Sequence, residues 1–176
     1  MRMYFVVVAV AAGFLAFKPF QSSKSPLAIP EAAAGKPESA PRPINANVVA
    51  YHTRDARMNA AKDRARATLP RFLALLNGNA PGTYAVKFPL TQNGATEHIW
   101  LQVDGHRDGA FRGRLANAPV NGGAYKVGDR LTVPSAQVED WSVTDRDVIY
   151  GGYTARVALA EMPEERARAL AKRFQD

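Results

Sequence analysis

The sequence predicts an α+β domain: an N-terminal amphipathic helix packed on a small, bent antiparallel sheet or open barrel, with a C-terminal helix. Three observations carry this. Apolar residues recur every three or four positions before Leu76, the helical period. From Tyr84 the period falls to two, the period of a strand. Several short alternating runs then follow, separated by turn residues.

A short strand over Val48–Ala50 opens the domain, and Thr53 or Asp55 offers an N-cap oxygen to the helix behind it. Met58, Ala61, Ala65, Leu69, Phe72, Leu73 and Leu76 share one helical face, with Arg54, Arg57, Lys62, Arg64 and Arg66 mostly elsewhere. Pro70 lacks an N–H and crowds the preceding turn, which predicts a kink or a second segment. Asn77-Gly78-Asn79-Ala80-Pro81-Gly82 ends the helix.

In the sheet, Val86, Phe88 and Leu90 alternate, and Gln92-Asn93-Gly94 suits a hairpin turn. Ile99, Leu101 and Val103 then point one way while His98, Trp100 and Gln102 point the other. A second turn over Asp104–Gly109 leads to Phe111, Gly113 and Leu115 on one face. A loop from Asn117 to Gly128 precedes strands expected over Arg130–Val133, Val138–Val143 and Tyr153–Leu159. Pro163–Phe174 reads as the closing helix, with Pro163 in its first turn and Ala167, Leu170, Ala171 and Phe174 as its apolar face.

The 176 residues leave room for a targeting segment before this domain. Arg2 precedes an apolar run, Tyr4 to Phe17, that closes at Lys18-Pro19. A basic residue, an apolar core and a polar stretch make an export signal. No small-residue cleavage site follows directly, so residues 1–20 are expected to be an uncleaved anchor in the inner membrane, with a cleaved signal peptide as the alternative. Residues 21–47, rich in Pro and Ala, form a linker too poor in large apolar residues to fold alone. Residues 48–176 would then stand in the periplasm.

Charge and cysteine content exclude several roles. The net charge is +7, yet residues 83–159 carry eight basic and eight acidic side chains. The excess lies on the leader and first helix, not on a strand-rich face that could follow a phosphate backbone, so no nucleic-acid partner is expected. The absence of cysteine removes disulfides, thiolate metal sites and a cysteine nucleophile.

Glu97-His98-Ile99-Trp100, Phe111-Arg112-Gly113-Arg114-Leu115-Ala116-Asn117 and Gly151-Gly152-Tyr153-Thr154-Ala155-Arg156 occur in that order. Together they resemble the YegJ-like family of bacterial proteins, a domain family of unassigned function, over about residues 55–159. The family-like positions also include Lys87, Pro119, Gly128, Asp129, Asp140 and Trp141. The resemblance implies positions but no activity.

Glu97-His98 is the pair best suited to acid–base chemistry, because histidine titrates near neutrality. On a strand, adjacent residues face opposite sides. The expectation is therefore a rim carboxylate paired with Arg112, Arg114 or Arg156, and a histidine facing out beside Trp100. The three histidines lack metal-ligand spacing, and neither a nucleophile motif nor a true phosphate loop is present, so no metal or cofactor is expected.

Glu97, His98, Trp100, Asn117, Asp140, Trp141, Tyr153 and Arg156 form the candidate binding surface, with Trp100 either covered by a helix or exposed for contact. Arg156 could pair with Glu97 or Asp140, and Gly151-Gly152 signals a bulge or a close backbone approach. The reading points to a non-enzymatic envelope module that binds an unknown envelope protein or small ligand. An immunity-type protein that neutralises a toxin and a hydrolase using Glu97 and His98 are the alternatives.

Overall fold

The computed structural model describes residues 55–176 and, before them, the backbone of three strands: β1 (Tyr4–Val8), β2 (Pro43–Asn45) and β3 (Val48–His52). The anchor and linker expected over 1–47 otherwise lie outside the described residues. Where β1 is described it is extended, antiparallel to β3 and parallel to a later strand at Val6↔Glu97 and Val7↔His98. Among the described residues no helix is long and apolar enough to cross a membrane.

Helix α1 (Ala56–Asn77) begins where the Asp55 carboxylate accepts the Met58 N–H at 2.9 Å. It ends at Gly78, whose N–H reaches the Ala74 carbonyl. Pro70 lies inside this one helix, so it does not begin a second segment. Pro70 and Arg66 are both exposed.

Seven strands follow: β4 (Thr83–Gln92), β5 (Ala95–Arg107), β6 (Ala110–Leu115), β7 (Arg130–Pro134), β8 (Asp140–Asp145), β9 (Val148–Gly151) and β10 (Phe174–Gln175). Their order is β10-β9-β8-β4-β5, with β6 on the far edge of β5 and β7 beyond it. All pairings are antiparallel except β10 with β9 and β1 with β5. This is an α+β fold with an open sheet. Asn93 and Gly94, both at positive φ (49° and 74°), turn β4 into β5. Asp108 and Gly109 do the same before β6, and β5 runs to Arg107, into the segment Asp104–Gly109 expected to turn.

The core lies between α1 and one face of the sheet. Phe72 is its hub, with ring centroids 5.6 Å from Tyr84, 5.7 Å from Phe111 and 5.5 Å from Trp141. Val86, Phe88, Ile99, Leu101 and Leu115 complete it. Fully burying such side chains contributes roughly 1.5–3 kcal/mol each. The Trp141 indole N–H is also satisfied, donating to the Ala65 carbonyl (3.1 Å) and Thr68 Oγ1 (3.0 Å).

The strand expected over Tyr153–Leu159 is instead helix α2 (Tyr153–Ala158), followed by a 3₁₀ turn over Leu159–Glu161. The cause is the pair before it. Gly151 (φ 73°) and Gly152 (φ 64°) are both left-handed and turn the chain out of β9. A Cβ at Gly151 would collide with the Trp141 carbonyl oxygen, so the close approach expected of these glycines is present. Helix α3 (Glu164–Ala171) is shorter than the expected Pro163–Phe174: Pro163 is its N-cap rather than part of its first turn, and Phe174 leaves it to pair with Ile149 of β9.

Candidate functional site

Regular pairing of β4 with β5 decides the Glu97–His98 question. Glu97 faces Leu90, on the side of Phe88 and Ile99, while His98 faces Pro89, on the side of Lys87 and Trp100. Both are buried and serve different parts of the fold.

Glu97 holds a loop. Its Oε2 accepts the Val120 N–H at 2.8 Å, and Oε1 accepts the Asn121 N–H. The expected pairing with Arg112, Arg114 or Arg156 is therefore replaced by two backbone donors. Asn117 reinforces the arrangement, its Oδ1 accepting the Trp100 N–H at 2.9 Å.

His98 joins a buried polar cluster. With Glu139 ionised, the imidazole Nδ1–H donates to Glu139 Oε2, and Lys62 of α1 donates to Glu139 Oε1 at 3.0 Å. Burial pushes the Glu139 carboxyl up, but the His98 hydrogen bond and the charges of His98 and Lys62 hold it below its ordinary range. Burial pushes His98 below its ordinary value, opposed by its hydrogen bond to Glu139 and by that carboxylate's charge.

Lys87 and Asp140 continue this cluster. Lys87 Nζ donates to Thr154 Oγ1 at 3.1 Å and lies 5.8 Å from the Trp100 ring centroid. Burial lowers Lys87 to about 8, Asp140 and Glu139 pulling it back up and Lys62 pressing it further down. Asp140 Oδ1 accepts the N–H groups of Trp141 (2.8 Å) and Tyr153 (3.1 Å). Its Oδ2 accepts the Thr154 N–H (2.8 Å) and hydroxyl (2.6 Å), which caps α2. Burial raises Asp140, opposed by the Thr154 hydroxyl and Lys87.

The sequence-selected residues thus divide. His98, Trp100 and Asp140 gather around Lys87. Trp141 lies across the sheet from Trp100, because it pairs with Val86 whereas Trp100 pairs with Lys87. Both tryptophans are buried (4% and 0% exposed). Tyr153 packs edge-on against Trp141 at 5.9 Å. Arg156 pairs with neither Glu97 nor Asp140. It reaches the Gly151 carbonyl (3.0 Å), the Gln175 carbonyl (2.6 Å) and Asp176 (2.8 Å), clasping β10 to α2.

Sequence reasoning missed Lys62 and Glu139 as site members. Lys62 follows Met58 by four residues and precedes Ala65 by three, which places it at the edge of the apolar stripe rather than on the wet face. Nothing local singles out Glu139. Among the described residues no group of three His, Cys, Asp or Glu side chains could hold a metal ion.

A bacterial family described as "Uncharacterized protein conserved in bacteria (DUF2314)" matches residues 55–174. The chain is 34% identical over 113 residues to "Uncharacterized protein YegJ" of Escherichia coli K12, covering 64% of this chain and 74% of the relative. It is 30% identical over 122 residues to "Putative ankyrin repeat protein NMB1133/NMB1171" of Neisseria meningitidis serogroup B. That match covers 63% of this chain and about half (48%) of the meningococcal protein. No solved structure matches.

Proposed function

The chain belongs to the bacterial DUF2314 family, and from that premise we propose that it is a non-enzymatic binding module of the cell envelope. One observation carries the binding half of this reading. The groups best fitted for acid–base chemistry are engaged in holding the fold. Glu97 uses both oxygens on loop amides, His98 is bonded to Glu139, and Asp140 caps α2. A general acid or base needs its group within reach of substrate, and His98 and Asp140 are 0% exposed. A hydrolase using Glu97 and His98 together would also need both on one side of β5, and strand pairing separates them.

The envelope half rests on the sequence, with residues 1–20 as tether and residues 21–47 as spacer. It competes with the pairing of β1 against β5, since residues embedded in a bilayer cannot also pair in the sheet. Fractionation of cells carrying the full chain resolves this competition. Recovery with the inner membrane, and release only by detergent, supports the tether; recovery with the cytosol defeats it. For binding, the purified full chain is mixed with solubilised envelope and its size distribution measured. A stoichiometric complex supports the reading. Hydrolytic turnover that disappears in His98→Ala, with no complex formed, reverses it.

A further inference from the structure

We propose that the loop over residues 116–128, together with Gln92 at the end of β4, is a recognition site for an extended peptide segment of a partner protein. The site rests on the binding-module reading and gives it a location and a partner class.

The loop is closed at its neck, where the Gly128 N–H donates to the Leu115 carbonyl (2.8 Å) and the Leu115 N–H to the Asp129 carbonyl (2.9 Å). Irregular surface loops with closed ends and their own internal packing are frequently functional. Glu97 fixes its middle through Val120 and Asn121. The loop also bears both exposed large apolar side chains of the described residues, Val120 (44%) and Val127 (56%).

Gln92 is an independent observation. Its side chain is buried, yet neither Oε1 nor Nε2 has a hydrogen-bond partner among the described residues. It lies directly against the loop: a Cβ at Gly122 would sit 2.9 Å from Gln92 Oε1, and Gly122 is at φ 109°. An unpaired buried carboxamide is costly, and an apolar side chain of similar size would be more stable there. A partner that supplies both a donor and an acceptor accounts for its presence.

Backbone geometry names that partner. In an extended chain, the N–H and C=O of one residue point to the same edge, which is how strands exchange paired hydrogen bonds. A primary carboxamide presents the complementary acceptor and donor side by side. The peptide's backbone would dock on Gln92, and an apolar side chain would rest on Val120. Adenine presents a similar pair, but the eight basic and eight acidic residues of 83–159 provide no net attraction for its phosphates. Access to Gln92 requires the loop to pivot at Gly122 and Gly123, while Glu97 keeps Val120 and Asn121 as the fixed wall.

The full chain is panned against a displayed library of short random peptides, and enriched peptides are titrated onto wild type, Gln92→Leu and Val120→Asp. Peptides sharing an apolar residue should be enriched, shift the Gln92 side-chain amide resonances, and bind each variant at least about tenfold more weakly. Gln92→Leu should melt no lower than wild type, which separates lost recognition from lost folding. Equal binding to all three proteins overturns the site while leaving the binding-module reading intact. So does the absence of enriched peptides, a Gln92 resonance shifted by AMP instead, or a Gln92→Leu protein less stable than wild type.

Discussion

The Asp140 carboxylate accepts both the backbone N–H and the hydroxyl of Thr154, at 2.8 and 2.6 Å, and so ties the first residue of β8 to the first turn of α2. Two further N–H groups, of Trp141 and Tyr153, converge on its other oxygen. Replacing a carboxylate by a carboxamide at such a point turns one acceptor towards a donor. Asp140→Asn should cost about 1.5–3 kcal/mol in urea unfolding, and Thr154→Val, which takes the hydroxyl from both Asp140 and Lys87 but keeps the backbone cap, about 1–2 kcal/mol. Equal losses in the two variants would show that the backbone cap contributes little.

Glu97→Gln tests the loop anchor. Glutamine can accept one of the two N–H groups of Val120 and Asn121, and presents its own NH₂ to the other. The expected loss is about 1.5–3 kcal/mol, with amide exchange faster at Val120 and Asn121 than in β4. Uniform acceleration across the sheet would mean that Glu97 supports global stability and not the loop.

Lys87 predicts a stability rise on the alkaline side. Its pKa is about 8 in the fold against an ordinary 10.5, so between these values the unfolded chain binds more protons. Stability therefore climbs as pH increases through that window. Wild type should gain on the order of 1–3 kcal/mol relative to Lys87→Met between about pH 8 and about pH 10. Parallel curves for the two proteins would refute the burial effect.

Gly151 tests the turn into α2. Alanine there meets both a left-handed backbone and the Trp141 carbonyl. Gly151→Ala should cost at least about 1–3 kcal/mol, whereas Gly109→Ala, with the same sign of φ and open space around it, should cost less. A thermal melt of the two variants compares them directly.

Much of the fold was legible because its signals are local. Asp55, Asn77-Gly78 and Asn93-Gly94 mark the ends of elements by their own chemistry, and strand parity alone separated Glu97 from His98. Helix α2 was misread because Tyr153, Ala155 and Val157 alternate with the strand period. Its helical start depends on Asp140, fourteen residues before Thr154, accepting the Thr154 N–H. Sequence separations of 77 for Lys62–Glu139 and 41 for His98–Glu139 hid the buried cluster in the same way. The expected arginine partner for Glu97 came from charge sign alone. The actual donors are backbone N–H groups, which every residue but proline carries.

The indole N–H of Trp141 that reaches Ala65 has a consequence for how the chain is made. Helix α1 is among the first parts of the domain to be synthesised, but the strand beneath it is completed only at Asp145. Strand β4 likewise acquires β5 at once and waits for β8 on its other side. Such long-range closure makes folding slow, and in a growing chain the contacts of α1 with Trp141 stay unmade until the last third emerges. Translation arrested before β8 should leave the domain sensitive to protease along its whole length.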